Sequence, residues 1–354
     1  MKLVIVGGAP GKLGGVEAFC ARAIEALAQN GITDVKHIPS GTAFLTLAGL
    51  PGLFRGLVKL VGTLRERADC VWLQYVNLPD LLYLLLAKSL GMTVMVTPHL
   101  GSNWRSQSNP FLRALSGLVL RLADRFALIS KTQELELNLP SNVPRSAIRN
   151  FLPPAILTDA GIDHLPSQTE GPLRLVHAGR LSAGKGTFLF LEVCHALAQR
   201  NVAFDAKIAG DTDKETFEQI HQLIARYSLD SRIKVLGRIP DNHLLSLLEK
   251  SDVLVHLSKI DSYPLIVLEC IAFGTFPVCM ELAGARDMVD TYTGKIVSQA
   301  DPVSEASAFL GSASVEDLRR ITALAARSVR RDYHWDECVR LVRTALEQTI
   351  APAD

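Results

Sequence analysis

Two basic side chains stand in a glycine-rich loop that follows a short apolar run. The run Leu173–Ala178 predicts a strand, and Arg180 and Lys185 come directly after it, between Gly179 and Gly186. A forked guanidinium and a compact ammonium both bind phosphate oxygens, and a strand followed by a glycine loop and a helix favours such binding. The plainer alternative is a solvated basic turn. The loop is therefore a candidate site for a phosphate group.

The same loop also matches part of a nucleotide-binding motif. Positions 179–185 satisfy G-x-x-x-x-G-K, the start of a P-loop. That motif needs a Ser or Thr hydroxyl for magnesium at the next position, which is Gly186 here. A P-loop also follows a first strand, whereas this loop opens the second half of the chain. A P-loop nucleotide hydrolase is therefore disfavoured, and magnesium-dependent ATP turnover would reveal one.

Two carboxylates, Asp261 and Glu269, are eight residues apart around a predicted helix start at Pro264. The helix is apolar except for Glu269, and an isolated charge in an apolar wall needs a partner. Hydroxyl groups of a ligand would serve, and a buried salt bridge with Arg or Lys is the structural alternative. The amides of the first turn, at Leu265 and Ile266, would meet an anion such as a diphosphate.

Two further candidate positions lie in the first half of the chain. Gly14 and Gly15 open a helix after the first strand, where paired glycines let backbone amides approach a phosphate, although such loops are common. His99 follows a predicted strand and could reach a ligand at its carboxyl end, but a lone histidine there is more often structural.

Short apolar runs alternate with helix-period stretches along the whole chain, which predicts an α/β protein with parallel sheets. A stretch rich in Pro, Gly, Asp and Thr, Pro153–Pro172, is the expected linker between two series of strands. The predicted strands are Leu3–Val6, Cys70–Val76, Thr93–Thr97, Phe126–Ser130 and Ser146–Asn150, then Leu173–Ala178, Phe204–Ala209, Ile233–Leu236, Val253–Leu257 and Pro277–Met280. The simplest architecture is two Rossmann-like domains facing across a cleft, with ligands at the carboxyl ends of the strands.

Length and composition agree with this organisation. A chain of 354 residues exceeds the usual size of one core, and 48% hydrophobic residues indicate a folded protein. The net charge of +1 argues against a general nucleic-acid binder, yet residues 1–150 carry +7 and residues 151–354 carry −6. Six scattered cysteines, without C-x-x-C or paired histidines, indicate neither a disulfide framework nor a zinc site, so we expect a cytoplasmic protein without a resident metal.

Taken together, these motifs resemble retaining glycosyltransferase family 4, also called group 1. The resemblance rests on Gly14-Gly15-x-Glu17, His99, the Arg180–Gly186 element, and an acid-x7-Glu element followed by Ala-x-Gly-x-x-Pro-Val, in that order over nearly the whole chain. It implies a GT-B fold with an acceptor domain at 1–160, a nucleotide-sugar domain at 170–335 and a final helix at 336–354 that crosses back to the first domain.

The resemblance also implies roles for individual residues. Arg180 and Lys185 would hold the donor diphosphate, with Leu265 and Ile266 at the adjoining helix start, and Glu269 would accept hydrogen bonds from the ribose. Asp261 and His99 would contact the transferred sugar, and Gly14 and Gly15 would close on the phosphates from the other domain. Such enzymes generally bind the donor without a metal.

The sequence departs from the family pattern at several positions. Asp261 stands where a glutamate is usual, Ser-Tyr-Pro replaces Gly-Phe-Gly, and Asp287 replaces another glutamate. The expected reaction moves a hexose from a UDP- or GDP-sugar to a lipid-linked or glycan acceptor in bacterial-type envelope polysaccharide synthesis. The alternatives are the nucleotide hydrolase, a catalytically silent sugar-nucleotide-binding protein, and a sugar-nucleotide epimerase.

One segment could also contact a membrane. Between Phe44 and Arg67 a wide apolar stripe runs beside Arg55 and Lys59, as in helices that lie in a lipid interface. The alternative is a crossover helix packed on its sheet. With the +7 charge of the first half, the stripe predicts peripheral binding to an anionic inner membrane face. No apolar run approaches the roughly 20 residues of a transmembrane helix.

Overall fold

The computed structural model describes residues 1–8, 14–42, 50–101, 104–157 and 171–351. The chain divides into two compact units, one formed by Met1–Phe151 with Tyr333–Asp354 and the other by Leu152–Asp332. Each unit contains a six-stranded, entirely parallel sheet with helices packed against it. The predicted α/β class is confirmed.

The first unit is built on the strand order β2-β1-β3-β4-β5-β6. Its strands are β1 (Leu3–Val6), β2 (Val35–Ile38), β3 (Cys70–Tyr75), β4 (Val94–Pro98), β5 (Arg125–Leu128) and β6 (Arg145–Ala147). Its helices are α1 (Gly15–Gln29), α2 (Leu50–Thr63), α3 (Leu81–Ser89), α4 (Arg105–Ser108), α5 (Pro110–Leu120), α6 (Thr132–Glu136) and the C-terminal α15 (Trp335–Ile350). Helix α15 packs against α1 and β3–β6, so the last helix returns to the first unit, as predicted.

The second unit has the strand order β12-β11-β10-β7-β8-β9. Its strands are β7 (Leu173–Ala178), β8 (Phe204–Ala209), β9 (Ile233–Gly237), β10 (Val253–His256), β11 (Phe276–Met280) and β12 (Lys295–Val297). Its helices are α7 (Pro154–Leu157), α8 (Thr187–Gln199), α9 (Lys214–Arg226), α10 (Asp241–Glu249), α11 (Leu265–Ala272), α12 (Ala283–Thr291), α13 (Pro302–Ser312) and α14 (Val315–Asp332). The predicted linker Pro153–Pro172 begins with α7, and its positions 158–170 lie outside the described residues.

The strand order of the second sheet creates a switch point between β7 and β10. From β7 the chain proceeds outward through β8 and β9, then returns to place β10 on the other side of β7 and continues through β11 and β12. The chain therefore continues from these two central strands in opposite directions along the sheet, and the carboxyl ends of the two strands are where open parallel sheets bind ligands.

A buried ion-pair network holds β10 in place beside β7. It lies at the amino ends of these two strands, opposite to the carboxyl ends from which the loops leave. Asp252 is 2% exposed and receives two side-chain bonds from Arg174, of 2.8 and 3.1 Å, and two from Arg319, of 2.5 and 2.9 Å. Arg174 N also donates to the carboxylate over 2.9 Å. Removing one partner of such a network would leave a buried charge uncompensated. The network therefore fixes the start of β10, and with it the position of the loop that follows β10.

Ten of the twelve strands in the described residues coincide with predicted runs, shifted by at most a few residues. The two that were not predicted, β2 and β12, are edge strands of only four and three residues, most of them half-buried. No helix among the described residues is both long and apolar enough to cross a bilayer.

Candidate functional site

The loop after β7 is a tight, internally hydrogen-bonded turn. Ser182 N donates to Thr187 Oγ1 over 3.0 Å, and Lys185 N donates to Ser182 Oγ over 3.3 Å. Gly186 is the N-cap of α8 with a left-handed φ of +79°, and a Cβ there would lie 2.3 Å from Leu257 O. The sequence therefore has glycine at this position because neither a hydroxyl nor a methyl group fits, which removes the magnesium ligand of a P-loop.

The loop after β10 is hydrogen-bonded directly to the loop after β7. Lys259 N donates to Gly184 O over 2.9 Å, and Ser258 Oγ donates to the same carbonyl over 3.4 Å. This contact brings together two side chains that are 76 positions apart, and Lys185 forms an ion pair and hydrogen bond with Asp261. The predicted phosphate-binding lysine and the predicted sugar-binding acid thus meet at the switch point.

Asp261 is also held by a histidine at the end of β10. His256 Nε2 donates to Asp261 Oδ2 over 2.9 Å, while Lys185 occupies Oδ1. Burial raises the pKa of Asp261, but the hydrogen bond and charge of His256, together with Lys185, outweigh burial and hold this pKa well below its ordinary value. Asp261 is therefore ionised at neutral pH, and its oxygens can accept hydrogen bonds but do not act as a proton donor.

His256 itself is not among the predicted site residues. Its side chain is 5% exposed, and its Nδ1 atom has no hydrogen-bond partner in the described part of the chain. The sequence did contain a signal for it, because His256 is a polar residue inside the apolar run Val253–Leu257, five positions before Asp261. A polar residue near the carboxyl end of a central strand indicates a ligand-binding site, because open parallel sheets bind ligands at that end.

Helix α11 continues directly from this loop. Pro264 occupies its N-cap, and Leu265 and Ile266 follow as the first helical residues, whose amides have no intrahelical acceptor. Glu269 lies in the second turn and is 7% exposed. The start of α12 also packs closely on the loop, since a Cβ on Gly284 would lie 1.8 Å from Ser262 O. The start of α11 and the carboxylate of Glu269 are therefore fixed relative to Asp261.

Arg180 lies two residues beyond the end of β7 and is exposed. The backbone on either side of it is anchored, because Gly179 N donates to Ala209 O over 3.1 Å and Leu181 N donates to Asp211 O over 2.9 Å. A Cβ on Gly210 would lie 1.7 Å from Gly179 O, so this close approach requires glycine. These contacts with the sheet thus fix the backbone position of Arg180 in the loop after β7.

His99, in the first unit, is held as a neutral ring. Its Nε2 donates to Gln74 Oε1 over 2.8 Å, and its ring lies edge-on to Phe19 at 4.9 Å between centroids. Burial lowers the pKa of His99 to about 3, so the ring carries no charge at neutral pH. These contacts agree with the structural interpretation of His99, and its contact with a sugar stays a prediction.

Gly14 and Gly15 form the exposed start of α1, with Gly14 at the N-cap. A Cβ on Gly14 would lie 2.3 Å from Glu17 Oε2, whereas one on Gly15 would meet nothing within 4 Å. Gly14 therefore leaves room for the carboxylate of Glu17 over the helix start. Whether the two glycines meet a phosphate stays a prediction.

The second unit brings together most of the predicted site residues. Lys185 and Asp261 are in direct contact, Arg180 is on the loop of Lys185, and Leu265, Ile266 and Glu269 are on the helix that follows Asp261. Gly14, Gly15 and His99 belong to the first unit. Among the described residues, no group of three or more His, Cys, Asp or Glu side chains could hold a metal ion.

Three comparisons with known proteins bear on this site. Residues 165–311 match the family described as glycosyl transferases group 1. The GPI3 subunit of phosphatidylinositol N-acetylglucosaminyltransferase from Saccharomyces cerevisiae is 21% identical over 70% of this chain and 52% of its own length. WcaL from Escherichia coli, named a putative colanic acid biosynthesis glycosyltransferase, is 23% identical over 46% of this chain and 42% of its own length. The chain thus spans about half the length of these curated relatives.

A solved structure of HepE from Anabaena, in complex with UDP and glucose, shares the fold. It superposes with a TM-score of 0.74 at 16% identity and covers 98% of this chain and 100% of the HepE chain. The predicted GT-B class, with its two parallel-sheet α/β domains, is confirmed by this likeness. The group 1 match over residues 165–311 covers the β7 loop, the β10 loop and α11. Fold and family match together support a GT-B glycosyltransferase.

Proposed function

We propose that this protein is a retaining glycosyltransferase of family 4, which moves a hexose from a UDP- or GDP-sugar to a lipid-linked or glycan acceptor. The observation that carries the proposal is the contact of Lys185 with Asp261 at the β7–β10 switch point. It joins a phosphate-binding cation to an ionised acceptor of hydrogen bonds within the segment that matches the group 1 family.

In the proposed site the cations bind the donor diphosphate. Lys185 has three N–H donors, so its bond to Asp261 leaves it able to bind a phosphate oxygen as well. Arg180 and the amides of Leu265 and Ile266 add positive charge at the same place. Asp261 accepts a hydrogen bond from a sugar hydroxyl, and Glu269 accepts bonds from the ribose. This set supplies the charge that a metal would otherwise provide, so donor binding is proposed to need none.

The proposed chemistry follows from this arrangement of charges. The bond between the anomeric carbon and the diphosphate oxygen breaks, and the acceptor oxygen bonds to the same carbon from the same side. The departing diphosphate takes the bonding electron pair and accepts the proton of the acceptor hydroxyl. Stabilisation of its developing charge by Arg180, Lys185 and the helix amides is then the largest catalytic contribution.

The names of the similar proteins indicate which donors and acceptors to examine first. HepE was solved with UDP and glucose, GPI3 is named for N-acetylglucosamine transfer to phosphatidylinositol, and WcaL for colanic acid biosynthesis. These names support a UDP-sugar donor, a lipid-linked or glycan acceptor and a role in envelope polysaccharide synthesis. The proposed location is the cytoplasm, with peripheral binding to the inner membrane face.

The proposal is tested by donor turnover. The protein should release UDP from UDP-glucose or UDP-N-acetylglucosamine, or GDP from a GDP-hexose, when an acceptor extract is present, and the product should keep the α configuration of the donor by NMR. Arg180→Ala and Lys185→Ala should each lower turnover by about 100-fold or more, while both variants stay folded at the assay temperature. Lys214→Ala, at a side chain 91% exposed on α9, is the control.

The alternatives predict other outcomes of the same assay. Nearly normal turnover in either variant would overturn the assignment of the diphosphate site. Magnesium-dependent ATP hydrolysis would indicate a nucleotide hydrolase, and donor conversion without acceptor would indicate an epimerase. Binding of a nucleoside diphosphate without any transfer would indicate a silent binding protein.

A further inference from the structure

The outward faces of three helices in the first unit carry exposed apolar side chains. They lie on α2, α3 and α5, and Phe111, Phe54 and Leu118 are 75%, 68% and 61% exposed. We call this surface the apolar face. Its members are Leu50, Phe54, Val58, Val61, Leu82, Leu85, Phe111, Leu115, Leu118 and Leu122, of which Leu122 lies two residues beyond the end of α5.

The three helices are neighbours, so their exposed side chains form one surface. Helix α3 packs between α2 and α5. The contact with α2 is close, because Tyr83 Oη donates to Leu53 O over 3.4 Å, and a Cβ on Gly56 would lie 2.0 Å from that hydroxyl. Small residues at such a contact allow the two helices to approach, and the outward side chains of α2 and α3 lie correspondingly close.

The apolar face is separate from the hydrophobic core. Leu53 and Leu60 of α2, Leu84 of α3 and Leu120 of α5 already pack against the sheet. Helix α2 is therefore a crossover helix packed on its sheet, as the simpler alternative predicted, and still exposes Phe54. Contiguous exposed apolar surface of this kind marks a binding surface in a folded protein. The part of the predicted stripe at 43–49 lies outside the described residues.

The charges around the apolar face are basic. Helices α2, α3 and α5 contain Arg55, Lys59, Lys88 and Arg113 and no acidic residue, and Arg121 directly follows α5. Lys88 is paired with Asp124 at 2.8 Å, whereas the other four are exposed. An apolar surface with basic residues at its margin is the pattern that binds anionic lipid surfaces.

We propose that the apolar face, formed by α2, α3 and α5, docks on an anionic lipid bilayer, with Phe54, Phe111 and Leu118 entering the interface. A second copy of the chain is the less suitable occupant. In a twofold pair the same surface meets itself, so the exposed basic residues of one copy would face those of the other. Anionic headgroups instead complement the basic side chains while the acyl boundary covers the apolar ones.

The proposal is tested with the 354-residue chain and vesicles, without any sugar transfer. Vesicles of phosphatidylcholine alone are compared with vesicles containing 30 mol% phosphatidylglycerol, at roughly 20 mM salt so that screening is weak. The wild type should co-sediment with the anionic vesicles and much less with the neutral ones. Leu118→Glu should lower the partition coefficient by about tenfold or more, because it places a charge in the apolar interface.

A matched variant in the second unit separates docking from a general effect of charge. Leu324→Glu replaces a leucine that is 69% exposed on α14, so it makes the same chemical change at similar exposure. It should leave vesicle binding unchanged. The double variant Arg55→Ala, Lys59→Ala should lower binding to anionic vesicles by about 25-fold, at about fivefold for each basic residue, and should not affect the neutral ones.

Three outcomes would overturn the proposal. One is a wild type that stays in the supernatant with both kinds of vesicle, and another is an equal loss of binding in Leu118→Glu and Leu324→Glu. The third is a wild-type dimer in analytical ultracentrifugation that Leu118→Glu converts to a monomer, which would assign the face to contact between copies. Because no donor enters these assays, their failure is distinguishable from failure of the proposed sugar transfer.

Discussion

His256 Nε2 lies 2.9 Å from Asp261 Oδ2, and this bond fixes the carboxylate that Lys185 holds from its other side. The histidine ends β10 and the aspartate stands in the loop that follows, so the strand positions the acid directly. Asp261 is one methylene shorter than the glutamate of the family pattern. The structure accordingly supplies two partners that fix a short side chain at the switch point.

Replacing His256 should affect the sugar more than the nucleotide. His256→Leu removes the bond to Asp261 Oδ2, and we expect about tenfold lower kcat/KM for the donor sugar, equivalent to about 1.4 kcal/mol. The Kd for the nucleoside diphosphate should change little, because Arg180 and Lys185 remain. His256→Gln keeps an N–H donor and should recover part of the loss. Equal losses in the Kd and in kcat/KM, with no recovery in the glutamine variant, would show only a structural role.

Gly186 and Gly184 form a matched pair for a test of loop geometry. Gly186→Ala puts a Cβ 2.3 Å from Leu257 O at a φ of +79°, so we expect the free energy of unfolding to fall by about 2 kcal/mol or more. Gly184→Ala meets only the exposed Ile260 side chain, whose two methyl carbons lie at 3.3 and 3.4 Å, and should cost less than about 1 kcal/mol. Urea unfolding of both variants measures the difference. Similar losses in the two would contradict the described turn.

Asp80 predicts a pH dependence of stability in the first unit. Its fully buried carboxyl accepts bonds from the Thr42 hydroxyl, from Val76 N at 2.8 Å and from Asn77 N at 2.9 Å. Burial raises the pKa of Asp80 to about 6, against 3.8 for an ordinary aspartate. Because the folded state holds the proton more tightly, Asp80 favours folding at low pH, and this contribution is lost as the pH rises from about 4 to 6.

The comparison with Asp80→Asn isolates that contribution. The stability advantage of the wild type over the variant should shrink by roughly 2 kcal/mol between pH 4 and pH 7. Urea unfolding at the two pH values, followed by tryptophan fluorescence, measures it, because Trp72, Trp104 and Trp335 all belong to the same unit as Asp80. If the stability advantage of the wild type over Asp80→Asn stays constant or grows with pH, burial does not destabilise the ionised form of Asp80.

The sequence predicts this site only as far as local patterns extend. Arg180, Lys185 and Glu269 were identified because a charge in a glycine loop or in an apolar helix is locally unusual. The contact of Lys185 with Asp261 depends on the return of β10 to the side of β7, which no local pattern encodes. The edge strands β2 and β12 escaped prediction because a short edge strand needs no continuous apolar run.

The central claim is that the β7–β10 switch point binds the diphosphate of a nucleotide-sugar donor. Thermal unfolding with UDP, GDP and ADP tests it most directly, because a ligand that binds only the folded state raises Tm by mass action. UDP or GDP should raise the Tm of the wild type in a concentration-dependent way, and this shift should be lost in Arg180→Ala and Lys185→Ala but kept in Lys214→Ala. The absence of a shift with both nucleotides at millimolar concentration, or a shift of the same size in the Lys185 variant, would contradict the claim.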